Sequence, residues 1–226
     1  MASGEGPDQT PSATKRRNLL AGRMEALSDG VFAIAVTLLD LDIAVPGHAK
    51  SAHALLDSVA RLWPSYLAYV VSFSTIGAVW LGHSAITEYL DRIDGGFIRL
   101  NLLVLLLVSF LPLPTRLFAS YIGKNGPERV AATIYGACLL LTLMLLLILW
   151  RYSVRERLVR PDARDEEIQL LTRRLTPGLF AYVALIVVGL WVPVVAVGGY
   201  LAIALYYIFP FKRPYIIALP RRRKRS

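Results

Sequence analysis

The feature that most limits what this chain can fold into is the run from Val130 to Trp150, which holds no charged residue at all. A helix of about 20 such residues spans the ~30 Å hydrocarbon core of a bilayer. Comparable apolar runs recur along the chain and are separated by charged stretches. Of the 226 residues 55% are hydrophobic and only 18% charged, where a soluble domain carries about a quarter charged residues. The pattern predicts an all-α, multi-pass membrane protein.

The runs place six transmembrane helices within residues 19–215. The first extends from Met24 to Ile43 and is closed by Pro46 and Gly47. The second begins near Pro64, a residue suited to a first helical turn, and reaches about Leu81. Between them Ser51–Arg61 reads as a short amphipathic piece on the outer surface. The third covers Phe97–Phe118 with a kink expected at Pro112 and Pro114. The fourth is Val130–Trp150, followed by Arg151–Arg174, a linker of interleaved charges expected to continue as a helical extension into water. The stretch Pro177–Phe211 would be about 50 Å long as one helix, so Pro193, Gly198 and Gly199 are expected to divide it into two spans. Residues 1–18, rich in Gly, Ser, Pro and Thr, read as a disordered arm, and 216–226 as a basic tail.

With those spans, all but Lys50, Arg61, Arg116, Lys124 and Arg129 of the 25 Lys and Arg residues fall on one side. Positive charge marks the cytoplasmic side, so both termini are expected there, as an even number of spans requires. The net charge of +9 is then a topology signal, not a sign of nucleic-acid binding. The tail Arg221–Arg225 fits the same account and suits contact with anionic lipid. One cysteine, Cys138, excludes an intrachain disulfide and a cysteine metal site, and three scattered histidines argue against a histidine site. No Ser-His-Asp, metal-ligand or phosphate-cradling spacing supports an enzyme.

The informative segment is the first span. At about 100° per residue, Ile34, Leu38 and Leu41 fall on one stripe with Thr37 at its edge, and Ser28 and Asp29 point away from it. Ionisable groups at membrane depth are costly and usually face protein or water, so Arg23 and Asp29 are expected to have partners inside the bundle. The plain reading is an apolar seam packed on neighbouring helices, with a polar brace at the cytoplasmic end. The alternative is a proton-coupled transporter using Arg23, Asp29 and His83 as a relay, although the two halves of the chain show no convincing internal repeat. Asp40 and Asp42 sit at the outer end, where they are either solvated, paired with Lys50 or Arg61, or a ring at a pore mouth.

The run Arg23-x-x-x-Leu27-Ser28-Asp29, continued by Gly30-Val31-Phe32-Ala33-Ile34-Ala35, resembles the Arg-x-x-x-Phe-Ser-Asp signature of the transmembrane protein 175 potassium channels. Trp80 and His83 resemble that family's Trp-x-x-His element. Asn101 and Ser109-Phe110-Leu111-Pro112-Leu113-Pro114-Thr115 resemble its third span. Leu27 replaces the usual Phe, and Ser84 stands where a second His often follows.

The resemblance implies a homotetramer of six-span subunits around a central pore lined by the first helix, without a Thr-Val-Gly-Tyr-Gly filter, in the cell membrane. Ile34, Leu38 and Leu41 would then form stacked apolar rings that gate monovalent cations by excluding water. The Thr37 hydroxyl would replace part of the hydration of permeant potassium, unless it simply bonds back to its own helix. Arg23, Ser28, Asp29, Trp80, His83 and Asn101 would lock the first three helices together, and no cofactor is implied. The run Ala196-Val197-Gly198-Gly199-Tyr200 lacks the threonine and the Gly-Tyr-Gly order of a filter and is expected to be a tight turn.

Overall fold

Capping side chains and prolines set most of the helix starts in this chain. The computed structural model describes residues 11–39, 51–124 and 126–209. These residues form eight helices: α1 (Pro11–Leu38), α2 (Ala52–Arg61), α3 (Trp63–Glu88), α4 (Gly95–Phe110), α5 (Pro112–Tyr121), α6 (Pro127–Arg155), α7 (Asp165–Gly189) and α8 (Pro193–Ile208). Ser51 caps α2 by accepting from the Ala54 N–H at 3.2 Å, and Asp94 caps α4 by accepting from the Phe97 N–H at 2.7 Å. Prolines open α5, α6 and α8, where their missing N–H costs nothing.

Among the described residues, α3, the α4–α5 pair taken together, α6 and α7 are long and apolar enough to cross a membrane, and α8 is a shorter apolar helix. The expected kink falls at Leu111. Pro112 cannot donate to the preceding turn, and the Thr115 hydroxyl donates to the Leu111 carbonyl at 2.8 Å beside it.

Helix α6 is the centre of the bundle and packs against α3, α4, α5, α7 and α8. At one end meet the end of α3, the start of α4, the end of α6, the start of α7 and the end of α8. Tyr152 donates to Asp94 there at 2.8 Å, Trp150 to Thr172 at 2.8 Å, and Tyr207 to the Arg174 carbonyl at 3.0 Å. The opposite end gathers the end of α1, the start of α3, the end of α5 and the α7–α8 turn. Between the two ends a buried relay runs from the Tyr135 hydroxyl to Ser72, then to Thr115, each step 2.7 Å. Because Thr115 spends its proton on Leu111, the relay has one direction.

Three close approaches tie the helices at small residues. A methyl group added at Gly96, Gly136 or Gly178 would land on the hydroxyl of Tyr152, Tyr200 or Tyr207, respectively. Each glycine thus lets a tyrosine from a neighbouring helix seat against backbone.

Four expectations change. Helix α1 starts at Pro11, so the later part of the arm is helical; proline at the first position and Ala13, Lys15, Arg16 and Arg17 after it favour this. The charged linker is not one helical extension. Helix α6 stops at Arg155, Arg157 turns left-handed at φ 54°, and the Leu158 N–H bonds the Ser153 carbonyl at 2.9 Å. This is a Schellman stop, driven by burial of Leu158, which is 3% exposed. Helix α7 begins well before Pro177 and carries that proline inside it. Finally, Gly198 and Gly199 make no turn. The chain reverses at Leu190–Val192, and Ala196–Tyr200 is helical throughout, with Gly199 packed under the Leu185 side chain.

Candidate functional site: the first helix and its clamp

Helix α1 packs on α3 and α4 and has two different faces. Met24, Ser28, Phe32, Ala35 and Leu39 are buried, at spacings of four, four, three and four, which is one stripe of an α-helix. The opposite stripe carries Leu27, Gly30, Ile34, Thr37 and Leu38, all exposed. Ile34 is 59% and Leu38 40% exposed, so the seam expected on periodicity does not pack inside the chain's own helix bundle. The Thr37 hydroxyl donates to the Ile34 carbonyl at 3.0 Å. That uses its single proton and leaves its lone pairs facing outward. Leu41, Asp40 and Asp42 lie outside the described residues.

The N-terminal half of α1 is held by a directional chain. The Ser28 hydroxyl donates to the Met24 carbonyl at 2.9 Å and accepts from the Asn101 amide at 3.0 Å. The Asn101 carbonyl then faces His83 Nε2 at 2.7 Å. A carbonyl can only accept, so Nε2 carries a proton. Ser28, His83 and Asn101 are at most 2% exposed, and every polar atom used in the chain is satisfied. The Phe32 ring lies 5.5 Å from the His83 ring and shields the chain on one side. At the rim, Trp80 Nε1 donates to Asp29 Oδ1 at 3.0 Å.

The structure therefore brings Ser28, His83 and Asn101 into one buried group and Asp29 and Trp80 into an exposed pair. Arg23 stands apart from both. It is exposed and, eleven residues before Ile34, occupies the Ile34 stripe instead of the Ser28 face. Among the described residues no hydrogen bond or ion pair joins it to the others. Sequence reasoning missed Phe32 as the cover of His83; its spacing of four from Ser28 carried the signal. It also missed the Ser72–Thr115–Tyr135 relay, although hydroxyls inside apolar spans are the residues to suspect. Beyond the relay, Leu39 and Thr115 line a cleft with Ser65, Ala68, Tyr69, Arg116 and Ala119 at the end of α1.

Comparison with known proteins addresses this same region. Residues 23–112, from the clamp to the Pro112 kink, match the family model described as Endosomal/lysosomal potassium channel TMEM175. A potassium channel of Chamaesiphon minutus is 39% identical over 82% of this chain and 92% of its own length. One of Streptomyces collinus is 40% identical over 70% of this chain and 82% of its own. The fold matches the crystal structure of a lysosomal potassium-selective channel TMEM175 homologue from Chamaesiphon minutus with a TM-score of 0.75. The two share 35% identity over 83% of this chain and 96% of that one. The chain belongs to the TMEM175 family, a family of ion channels and not of enzymes.

Proposed function

We propose that this protein is a potassium-permeable cation channel of the cell membrane in which four copies meet around an axis lined by α1. The observation that carries the reading is the outward surface of α1. Ile34 and Leu38 are exposed there beside Thr37, with Arg23 exposed on the same stripe toward its start. A surface mixing ionisable and hydroxyl groups at membrane depth is costly against lipid, and is suited to water or to other copies of the same helix. The relatives named as potassium channels support the permeant ion.

In this reading the channel domain spans residues 19–215 with six membrane helices, and 1–18 and 216–226 flank it in the cytoplasm. The basic residues at the end formed by the start of α4, the end of α6 and the start of α7 support that orientation. Ile34, Leu38 and Leu41 form the apolar constriction, where water is expelled until the rings widen. Thr37 supplies oxygen ligands, and Asp40 and Asp42 concentrate cations at the outer mouth. The reading has no Thr-Val-Gly-Tyr-Gly filter, and it is supported by Ala196–Tyr200 being a helical segment of α8 and not a filter loop. Ser28, Asp29, Trp80, His83 and Asn101 act as the brace, with Arg23 directed to the pore side.

A proton relay through Arg23, Asp29 and His83 is disfavoured by the separation of Arg23 from the buried chain and by the termination of that chain on a helix carbonyl. The test is single-channel recording of the purified protein in bilayers with asymmetric potassium and sodium. Discrete unitary steps reversing toward the potassium potential are expected. Saturable coupled exchange without steps would overturn the channel reading.

A further inference from the structure

Helix α2 is unaccounted for by the pore. It sits between α1 and α3 in the chain, and its residues divide cleanly. At 100° per residue Leu55, Leu56 and Val59 fall within one arc of about 100°, and His53, Asp57 and Arg61 lie on the other side. The helix buries no residue on the bundle. Leu56 is 65%, Leu55 45% and Val59 39% exposed. A ten-residue helix is too short to be stable in water by itself, so an apolar face this open has a partner outside the subunit.

Its neighbours say what that partner is. Leu62 alone separates α2 from α3, and the entrance to α3 carries Trp63 and Tyr66, both exposed. At the same end of the bundle Tyr121 is exposed where α5 finishes, and so is Trp191 in the α7–α8 turn. Outward-facing Trp and Tyr at the ends of spans mark the level of the lipid headgroups. Helix α2 lies at that level, next to that girdle. Its polar face bears Asp57 and Arg61, opposite charges, so insertion of the leucines and not net charge supplies the attachment.

We propose that α2 is a lipid-binding surface, lying in the headgroup–acyl boundary of the leaflet at the Trp63 end with Leu55, Leu56 and Val59 inserted. The proposal rests on the membrane placement of α3 and not on conduction, so a non-conducting protein leaves its test intact.

The test uses the full chain in phosphatidylcholine vesicles, in a Cys138→Ser background, with an environment-sensitive NBD fluorophore on Leu56→Cys or on Asp57→Cys. The probe at position 56 is expected to emit to the blue, to be quenched by shallow spin-labelled phosphatidylcholine, and to be shielded from aqueous iodide. The probe at 57 is expected to be quenched by iodide. Leu55→Cys and Arg61→Cys repeat the contrast should one variant fold poorly. Equal iodide quenching on both faces would overturn the proposal. So would a probe at 56 shielded from both quenchers, which assigns the face to another protein surface such as a second copy of the chain.

Discussion

The two halves of α1 are held in unlike ways. From Met24 to Phe32 the helix is fastened through Ser28 to Asn101 and His83 and through Asp29 to Trp80, by bonds that specify distance and direction. From Ala33 to Leu39 it is held by the apolar contacts of Ala35, Leu39 and the half-buried Val36, with Ile34 and Leu38 turned outward. Directional bonds fix a position, whereas apolar contacts tolerate sliding and tilting of about a side chain's width. One end of the helix is thus a fixed reference and the other is the end able to move, a division suited to the proposed constriction, which would open without the helix bundle coming apart.

The largest expected effect breaks the fixed half. Asn101→Leu leaves the Ser28 hydroxyl and His83 Nε2 buried without their partner, and should cost about 1–3 kcal/mol of stability. Thermal unfolding of the purified protein in detergent checks it, and a melting curve superimposable on the parent's would show that the clamp is not what fixes α1. Ile34→Asn tests the other half. It should raise basal cation flux into liposomes about tenfold, equivalent to ~1.4 kcal/mol, with little change in melting because the side chain is exposed in the subunit. A large loss of stability with unchanged flux would place Ile34 in packing instead.

Smaller again is Thr37→Ala, expected to lower the potassium-to-sodium permeability ratio by a factor of about three, or ~0.6 kcal/mol, measured from reversal potentials. The smallest concerns Asp94, which caps the helix carrying Asn101. The Phe97 N–H, then the Tyr152 hydroxyl, hold its carboxyl below the usual carboxylate range. A depressed acid contributes stability above its unfolded pKa and loses it as pH falls through the folded one. Asp94→Asn should therefore flatten melting-temperature loss below about pH 4 while leaving neutral-pH stability within about 1 kcal/mol.

Much of this architecture was legible because its causes are local. The apolar runs announced the spans, Pro112 announced the break at Leu111, and the alternation in 51–61 announced α2. The residues of the clamp were named through the motif in which they stand. What stayed hidden depends on surroundings. Arg157 ends α6 without a glycine because burying Leu158 outweighs the left-handed backbone. Gly198 and Gly199 look like a turn, but both lie inside α8, where Gly199 lets the helix pass close to Leu185 and Gly198 has open space beside it. Periodicity put Ile34 and Leu38 on one stripe correctly, yet only the packed subunit distinguishes a stripe facing its own bundle from one facing out.

The three glycines beneath tyrosine hydroxyls, at 96, 136 and 178, carry a consequence for how such a protein changes over generations. Each seat and its occupant sit far apart in the chain but share one small volume, so alanine at the seat evicts the ring unless the ring shortens as well. The members of each couple are expected to drift together or not at all. A library randomising both positions of Gly136 and Tyr200 should return viable clones as matched small–large or large–small combinations, with the mixed large–large class missing.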